Sequence, residues 1–138
     1  MKRVVVAGGT GLIGRRFCEA LLAGGYEVVI LSRRAVQSDN KAIVYARWDG
    51  QSTGEWVKWL EYATAVINLA GENIGAGAWT AARKQAILSS RVLAGQALSE
   101  AFEKVQNKPA VLLQASAIGY YGDSGAKTRV ESDPPADD

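Results

Sequence analysis

Apolar residues gather in five short runs along the chain. They are Val4–Ala7 (VVVA), Tyr26–Leu31 (YEVVIL), a stretch around Ile43-Val44-Tyr45, Thr64–Leu69 (TAVINL) and Ala110–Ala115 (AVLLQA). None alternates cleanly with polar residues, which suits strands covered on both faces. Between the first two, Ile13, Phe17, Ala20, Leu21 and Gly24 recur at helical spacing. They predict a helix from about Gly11 to Ala23, stopped at Gly24-Gly25. Gly54 to Tyr62 predicts a short helix with Trp56, Trp59 and Leu60 packed on one side. Thr80 has the character of an N-cap. It opens a long predicted helix that ends near Val105 or Asn107. The expected inner stripe of that helix is Leu88, Val92, Gly95, Leu98, Phe102 and Val105. Its expected outer face carries Arg83, Lys84, Glu100, Glu103 and Lys104.

Strands alternating with helices build a parallel sheet with right-handed crossovers. The expected fold is α/β: a three-layer, Rossmann-type, doubly wound sheet of order 3-2-1-4-5. Five strands are visible, so the second nucleotide-binding half is incomplete. Residues 1–138 form one domain at this length. From Asp123 to Asp138 the chain is polar and proline-containing, and is expected to be loop.

The first candidate for chemistry is the turn between the first strand and first helix. Gly9, Gly11 and Gly14 spell G-x-G-x-x-G, and Gly8, Gly11 and Gly14 spell G-x-x-G-x-x-G. The pattern gains meaning from the strand before it and the helix after it. Glycines allow a tight turn and close approach of backbone to phosphate. The free N–H groups and positive dipole end of the helix attract an anion. A dinucleotide pyrophosphate fits this arrangement; a plain glycine turn is the alternative.

The second strand ends in Ser32-Arg33-Arg34, where an NAD site would carry an acid for the ribose 2′-hydroxyl. A carboxylate would repel a 2′-phosphate, whereas a guanidinium pairs with it by forked hydrogen bonds. NADP is therefore favoured over NAD, the alternative being two solvated arginines. After the third strand, Asp49 suits either an adenine amine or a turn. After the fourth come the small residues of Asn68-Leu69-Ala70-Gly71-Glu72-Asn73, where open α/β sheets bind ligands. Ile74 to Ala78 is either a mobile flap or a plain connection. Arg91 either reaches a phosphate across the sheet edge or is solvated. Ser116 stands at the end of the fifth strand, followed by Tyr120 and Tyr121 at a glycine turn, a common setting for chemistry.

Composition narrows the classes. The charged residues, 16 basic and 14 acidic, leave a net charge of +2, too little for a nucleic-acid field. The absence of histidine removes histidine bases and ligands from these residues. Cys18 has no partner for a disulfide or a metal site, and is expected in the core. No segment suits a membrane span or a signal peptide. The cytoplasm is the expected compartment.

The blocks VAGGTGLIGR, VVILSRR, VINLAGENI, AWTAARKQAILSSRV and QASAIGYYGDSG resemble an atypical branch of the short-chain dehydrogenase/reductase superfamily. This is the NAD(P)-binding, nucleoside-diphosphate-sugar-epimerase-like family. Its proteins are longer, with a further strand and a small substrate-covering region, so the chain resembles their N-terminal part. The resemblance implies that Gly8, Thr10, Gly11, Leu12, Ile13 and Gly14 cradle the pyrophosphate. It implies that Ser32 and Arg33, flanked by Arg34, hold the 2′-phosphate. Leu69, Ala70 and Gly71 would lie against the cofactor ribose, Arg91 would complete the cofactor pocket, and Glu72 would face the substrate side. The superfamily's extended members use a Ser or Thr with a Tyr-x-x-x-Lys pair. Here the hydroxyl position falls at Ala117, one residue after Ser116, and no Tyr-x-x-x-Lys occurs. Ala78 stands where the family's flap carries a basic residue. The expected function is an NADP-dependent oxidoreductase or epimerase-like enzyme acting on a small molecule, with Ser116 or Tyr120 polarising its carbonyl or hydroxyl. The alternatives are a non-catalytic NADP-binding or redox-sensing protein that acts through a partner, and a nucleotide-sugar or flavin binder.

Overall fold

The computed structural model describes residues 2–34 and 36–136. In chain order the elements are β1 (Arg3–Ala7), α1 (Leu12–Ala23), β2 (Glu27–Ser32) and β3 (Ile43–Arg47), then a 3-10 helix (Glu55–Leu60). After these come β4 (Ala65–Asn68), α2 (Ala81–Lys104), β5 (Val111–Gln114) and a second 3-10 helix (Ile118–Tyr121). The strands form one parallel sheet of order β3-β2-β1-β4-β5, as the alternation of elements requires.

β1, β2 and β4 bury both faces because each face meets a different layer, whereas the edge strand β5 is exposed along its length, with Val111, Leu112 and Leu113 open to solvent. Val5, Ala7, Val29, Leu31 and Val66 point toward α2 and the first 3-10 helix, and pack with Trp48, Trp56 and Leu60. Trp48 and Trp56 meet edge to face at 5.6 Å, tying the end of β3 to that helix. Val4, Val6, Val28, Ile30 and Ile67 point the other way, toward Cys18, Leu21 and Leu22 of α1. Register sets Val5 beside both Val29 and Val66, so the central strand is the driest.

The helix faces differ from expectation. In α1 the buried residues are Gly14 and Cys18, while Ile13 and Phe17 are exposed. The cause lies in the turn before the helix: a Cβ on Gly14 would sit 2.2 Å from the Gly8 carbonyl oxygen. That contact fixes the rotation of α1 and turns Gly14 and Cys18 inward. Cys18 is a buried free thiol whose pKa is raised, chiefly by burial and further by Glu19.

In α2 the buried residues are Ala94, Ala97, Leu98 and Ala101, followed by Val105 just past the helix. Leu88 and Val92 are exposed instead of forming the inner stripe. Alanines bring the helix axis close to the sheet, and strands of four to six residues are shorter than this helix. At about 1.5 Å per helical residue and about 3.3 Å per strand residue, α2 runs well past the strand ends. Its first half thus overhangs the carboxyl ends of the strands. Thr80 caps α2 as expected, accepting a hydrogen bond from the Arg83 amide at 3.2 Å.

Candidate functional site

At the carboxyl ends of the strands lies a cleft of about 480 Å³, bounded by the ends of β1 to β4 and by α2. It sits where the chain order reverses between β1 and β4, the expected place for a ligand in such sheets.

Its floor is the glycine turn. Gly8 has φ of +80°, and a Cβ there would lie 2.6 Å from the Leu69 carbonyl carbon. The turn can therefore lie flush against the end of β4 only as glycine. The Gly11 amide donates to the Gly8 carbonyl at 3.0 Å. Gly11 then acts as N-cap with no side chain on the open end of α1, and no acid stands in the first turn. The helix end is free to receive an anion. Thr10 and Gly11 line the cleft, while Gly14 is packed beneath the turn. Leu12 and Ile13 begin α1 with their side chains in solvent, so what they offer at this end is backbone N–H.

Beside the floor is the end of β2. The Ser32 hydroxyl is nearly buried and accepts a hydrogen bond from the Arg34 amide at 3.1 Å. Ser32 and Arg33 line the cleft. With Arg34 they also border a neighbouring groove of about 650 Å³ floored by Ile30 and Tyr45. Arg33 and Arg34 are exposed and form no salt bridge among the described residues.

Past β3, Asp49 lines the cleft but is engaged in its own turn. It accepts the Gln51 amide at 2.9 Å, the Ser52 amide at 2.8 Å and the Ser52 hydroxyl. These bonds, the Ser52 hydroxyl foremost, lower its pKa from 3.8 to about 2. A carboxyl lowered by folding stabilises the fold above its unfolded pKa and loses that contribution as pH falls through the folded value. We expect Asp49→Asn to flatten the acid limb of stability between about pH 4 and 2, as measured by urea unfolding across that range. An unchanged limb would mean that the turn contributes nothing in acid.

The fourth wall is Leu69–Asn73. The Asn68 side chain accepts from the Ala70 amide at 3.1 Å and donates to Gln114 at 2.8 Å, joining this wall to β5. Glu72 and Asn73, just before the loop Ile74 to Ala78 expected as a flap or connection, are held from α2. The Glu72 amide donates to the Ser90 hydroxyl at 2.9 Å. Arg83 pairs with the Glu72 carboxylate at 3.3 Å and donates to the Asn73 carbonyl. Arg91 donates to the Glu72 carbonyl at 3.3 Å and to the Ile87 carbonyl at 3.0 Å. Its guanidinium packs against Gly71, where a Cβ would lie 2.9 Å from Arg91 Cζ. Arg91 therefore backs the wall and does not itself line the cleft. Arg83, expected on an outer face, is turned inward.

Ser116 and Tyr120 follow β5, which joins the β4 end through the Ala115 amide and the Asn68 carbonyl at 2.9 Å. Both are exposed, neither lines the cleft, and Tyr120 packs edge to face on Tyr121 at 5.1 Å. The cleft instead takes Trp48, Gln51, Ser89, Ser90 and Leu93, which the sequence reading had not singled out. Only the paired hydroxyls directly before Arg91 offered a signal for Ser89 and Ser90. Among the described residues, no helix is long and apolar enough to cross a membrane.

Comparison with known proteins places this geometry. A family model described as "NAD dependent epimerase/dehydratase family" matches residues 4–137. Epimerase family protein YfhF of Bacillus subtilis is 37% identical over 135 residues, which are 98% of this chain and 44% of that protein. Epimerase family protein SSP1921 of Staphylococcus saprophyticus is 39% identical over 121 residues, 88% of this chain and 39% of that protein. Among solved structures, human epimerase family protein SDR39U1 (isoform2) with NADPH superposes with a TM-score of 0.82 at 31% identity. That match covers 98% of this chain and 43% of the human one. MoeE5 in complex with UDP-glucuronic acid and NAD gives 0.74 at 30% identity, covering 97% and 42%. The chain spans less than half the length of each of these four proteins.

Proposed function

The chain belongs to the NAD dependent epimerase/dehydratase family, and from that premise we propose that it binds NADP(H) in the strand-end cleft and serves an oxidoreductase or nucleotide-sugar-epimerase-like reaction. The observation that carries the reading is the glycine turn. Gly8 and Gly14 leave no room for a Cβ, and the open end of α1 stands beside Arg33. This donor set suits two anions: a pyrophosphate at the helix end and a 2′-phosphate at the arginines. The human relative solved with NADPH supports the phosphorylated cofactor, whereas MoeE5 was solved with NAD. A cytoplasmic setting agrees with the single buried thiol.

When bound, the nicotinamide gives or takes hydride at C4. The chain's own part is to hold and to polarise. Gly8 to Gly14 and Arg33 hold the phosphates, with Ser32 and Arg34 flanking. Leu69, Ala70 and Gly71 form the wall against which the cofactor lies, and Arg91 backs Gly71. Ser116 or Tyr120 donates a hydrogen bond to the substrate oxygen. The second reading, a non-catalytic NADP(H)-binding or redox-sensing protein, is favoured by one fact: Ser116 and Tyr120 stand outside the cleft lining.

Two measurements test these readings. NADPH at a hundred times its dissociation constant is expected to stabilise the fold by about 2.7 kcal/mol; no rise in Tm with NADPH or NADH would remove the cofactor site. To separate enzyme from sensor, the full-length protein is incubated with NADPH and a panel of carbonyl compounds. The enzyme reading expects turnover that falls about a hundredfold or more in Ser116→Ala or Tyr120→Phe, the usual scale for losing a positioned acid. Turnover unaffected by both substitutions removes these two residues from catalysis, and no turnover with intact NADPH binding favours the sensor.

A further inference from the structure

We propose that Arg83 is a positioning residue for the cofactor, acting through the β4 wall; this rests on the cleft being the NADP(H) site. Arg83 lies in the first turn of α2, in the half that overhangs the sheet. From there one guanidinium nitrogen reaches the Glu72 carboxylate at 3.3 Å and another donates to the Asn73 carbonyl. Both side chains of the ion pair are largely shielded, at 22% and 34% exposure. The Arg83 Nε is buried with no hydrogen-bond partner among the described residues. A buried unpaired donor is costly, so the side chain is held in place by the bonds made at its far end.

Two turns along the same helix, Arg91 takes the Glu72 carbonyl and lies against Gly71. Between them, Ser90 accepts the Glu72 amide. Glu72 is thus held at three points: its side chain by Arg83, its N–H by Ser90 and its carbonyl by Arg91. Glu72 and Asn73 line the cleft, whereas Arg83 does not. Moving the Arg83 side chain therefore moves the wall without removing any group a ligand would touch. Lysine offers one compact charge and cannot hold the carboxylate and the carbonyl in the same fork.

The test uses Arg83→Gln, Arg83→Lys and Glu72→Gln in the protein as it stands. Amide hydrogen exchange without cofactor is the first readout. Arg83→Gln is expected to speed exchange at least tenfold at Glu72 and at Gly75, whose amide donates to the Asn73 side chain at 2.9 Å, leaving Val5 and Val66 unchanged. The second readout is NADPH affinity, expected to weaken about tenfold, as when a supporting wall shifts. Arg83→Lys is expected to fall between wild type and Arg83→Gln in both. Glu72→Gln combined with Arg83→Gln is expected to cost less than the sum of the two, because the pair acts together. Unchanged exchange at Glu72 in Arg83→Gln would overturn the clamp itself. Faster exchange with wild-type NADPH affinity would overturn its positioning role. Wild-type protein that fails to bind NADPH would instead overturn the cofactor reading, and the exchange result would still stand or fall alone.

Discussion

Gly14→Ala is expected to destabilise the protein by about 3 kcal/mol, the upper end of the usual cost of overpacking, and to abolish measurable cofactor binding. The new methyl would lie 2.2 Å from the Gly8 carbonyl oxygen and 2.7 Å from the Gly9 Cα. Both are backbone atoms, so no side chain can swing away to relieve the overlap. Either α1 lifts from the turn or the turn lifts from β4, and both movements spoil the cradle at the helix end. Gly95→Ala serves as the contrast. Gly95 lies within α2, and a Cβ there meets nothing within 4 Å. That substitution is expected to stabilise the protein by roughly 0.5–1 kcal/mol through helix propensity. Urea unfolding of the two variants beside wild type gives both numbers. Gly14→Ala matching wild type in stability would mean that the close contact between α1 and the turn is not required.

Arg33→Ala carries the second large expectation. A charge-assisted hydrogen bond to phosphate is worth about 1.5–3 kcal/mol. NADPH affinity should therefore fall by roughly ten- to a hundredfold. NADH lacks the 2′-phosphate, and its affinity should change little. Arg33 is exposed, so salt should also erode the preference for NADPH in wild type and leave the variant indifferent. Arg34 borders the neighbouring groove and does not line the cleft, and Arg34→Ala should have the smaller effect. Equal loss of NADPH and NADH in Arg33→Ala would mean that the residue supports the cleft rather than reads the phosphate.

The parts of this molecule that were legible in the sequence are those governed by local rules. Val4–Ala7 followed by glycines predicts a buried strand and a turn, because chain and ligand both need the missing side chains there. Strand order follows from alternation of elements and the handedness of crossovers. Thr80 is recognisable as a cap because its hydroxyl serves the adjacent turn. What could not be read in this way depended on contacts between distant segments. The inward face of α1 is set by Gly14 meeting Gly8, which competes with the larger apolar stripe of Ile13 and Phe17. The inward face of α2 is an alanine stripe chosen for close approach, while Leu88 and Val92 lie where the helix outruns the sheet. Arg83 looked like a solvated charge because its partner, Glu72, is eleven residues away in a loop. Ser89 and Ser90 reach the cleft for the same reason that Leu88 misses the core: that half of α2 overhangs the strand ends.

The central proposal is that the cleft, with its glycine turn, its arginines and the β4 wall, takes a dinucleotide with a 2′-phosphate. The direct measurement is a parallel titration of the protein with NADPH and NADH, followed by nicotinamide fluorescence at fixed moderate salt. Saturable binding of both is expected, with NADPH tighter by at least tenfold, the value of about 1.4 kcal/mol at the 2′-phosphate. Equal affinity for the two would contradict the role of Arg33, and binding of neither would contradict the cleft itself.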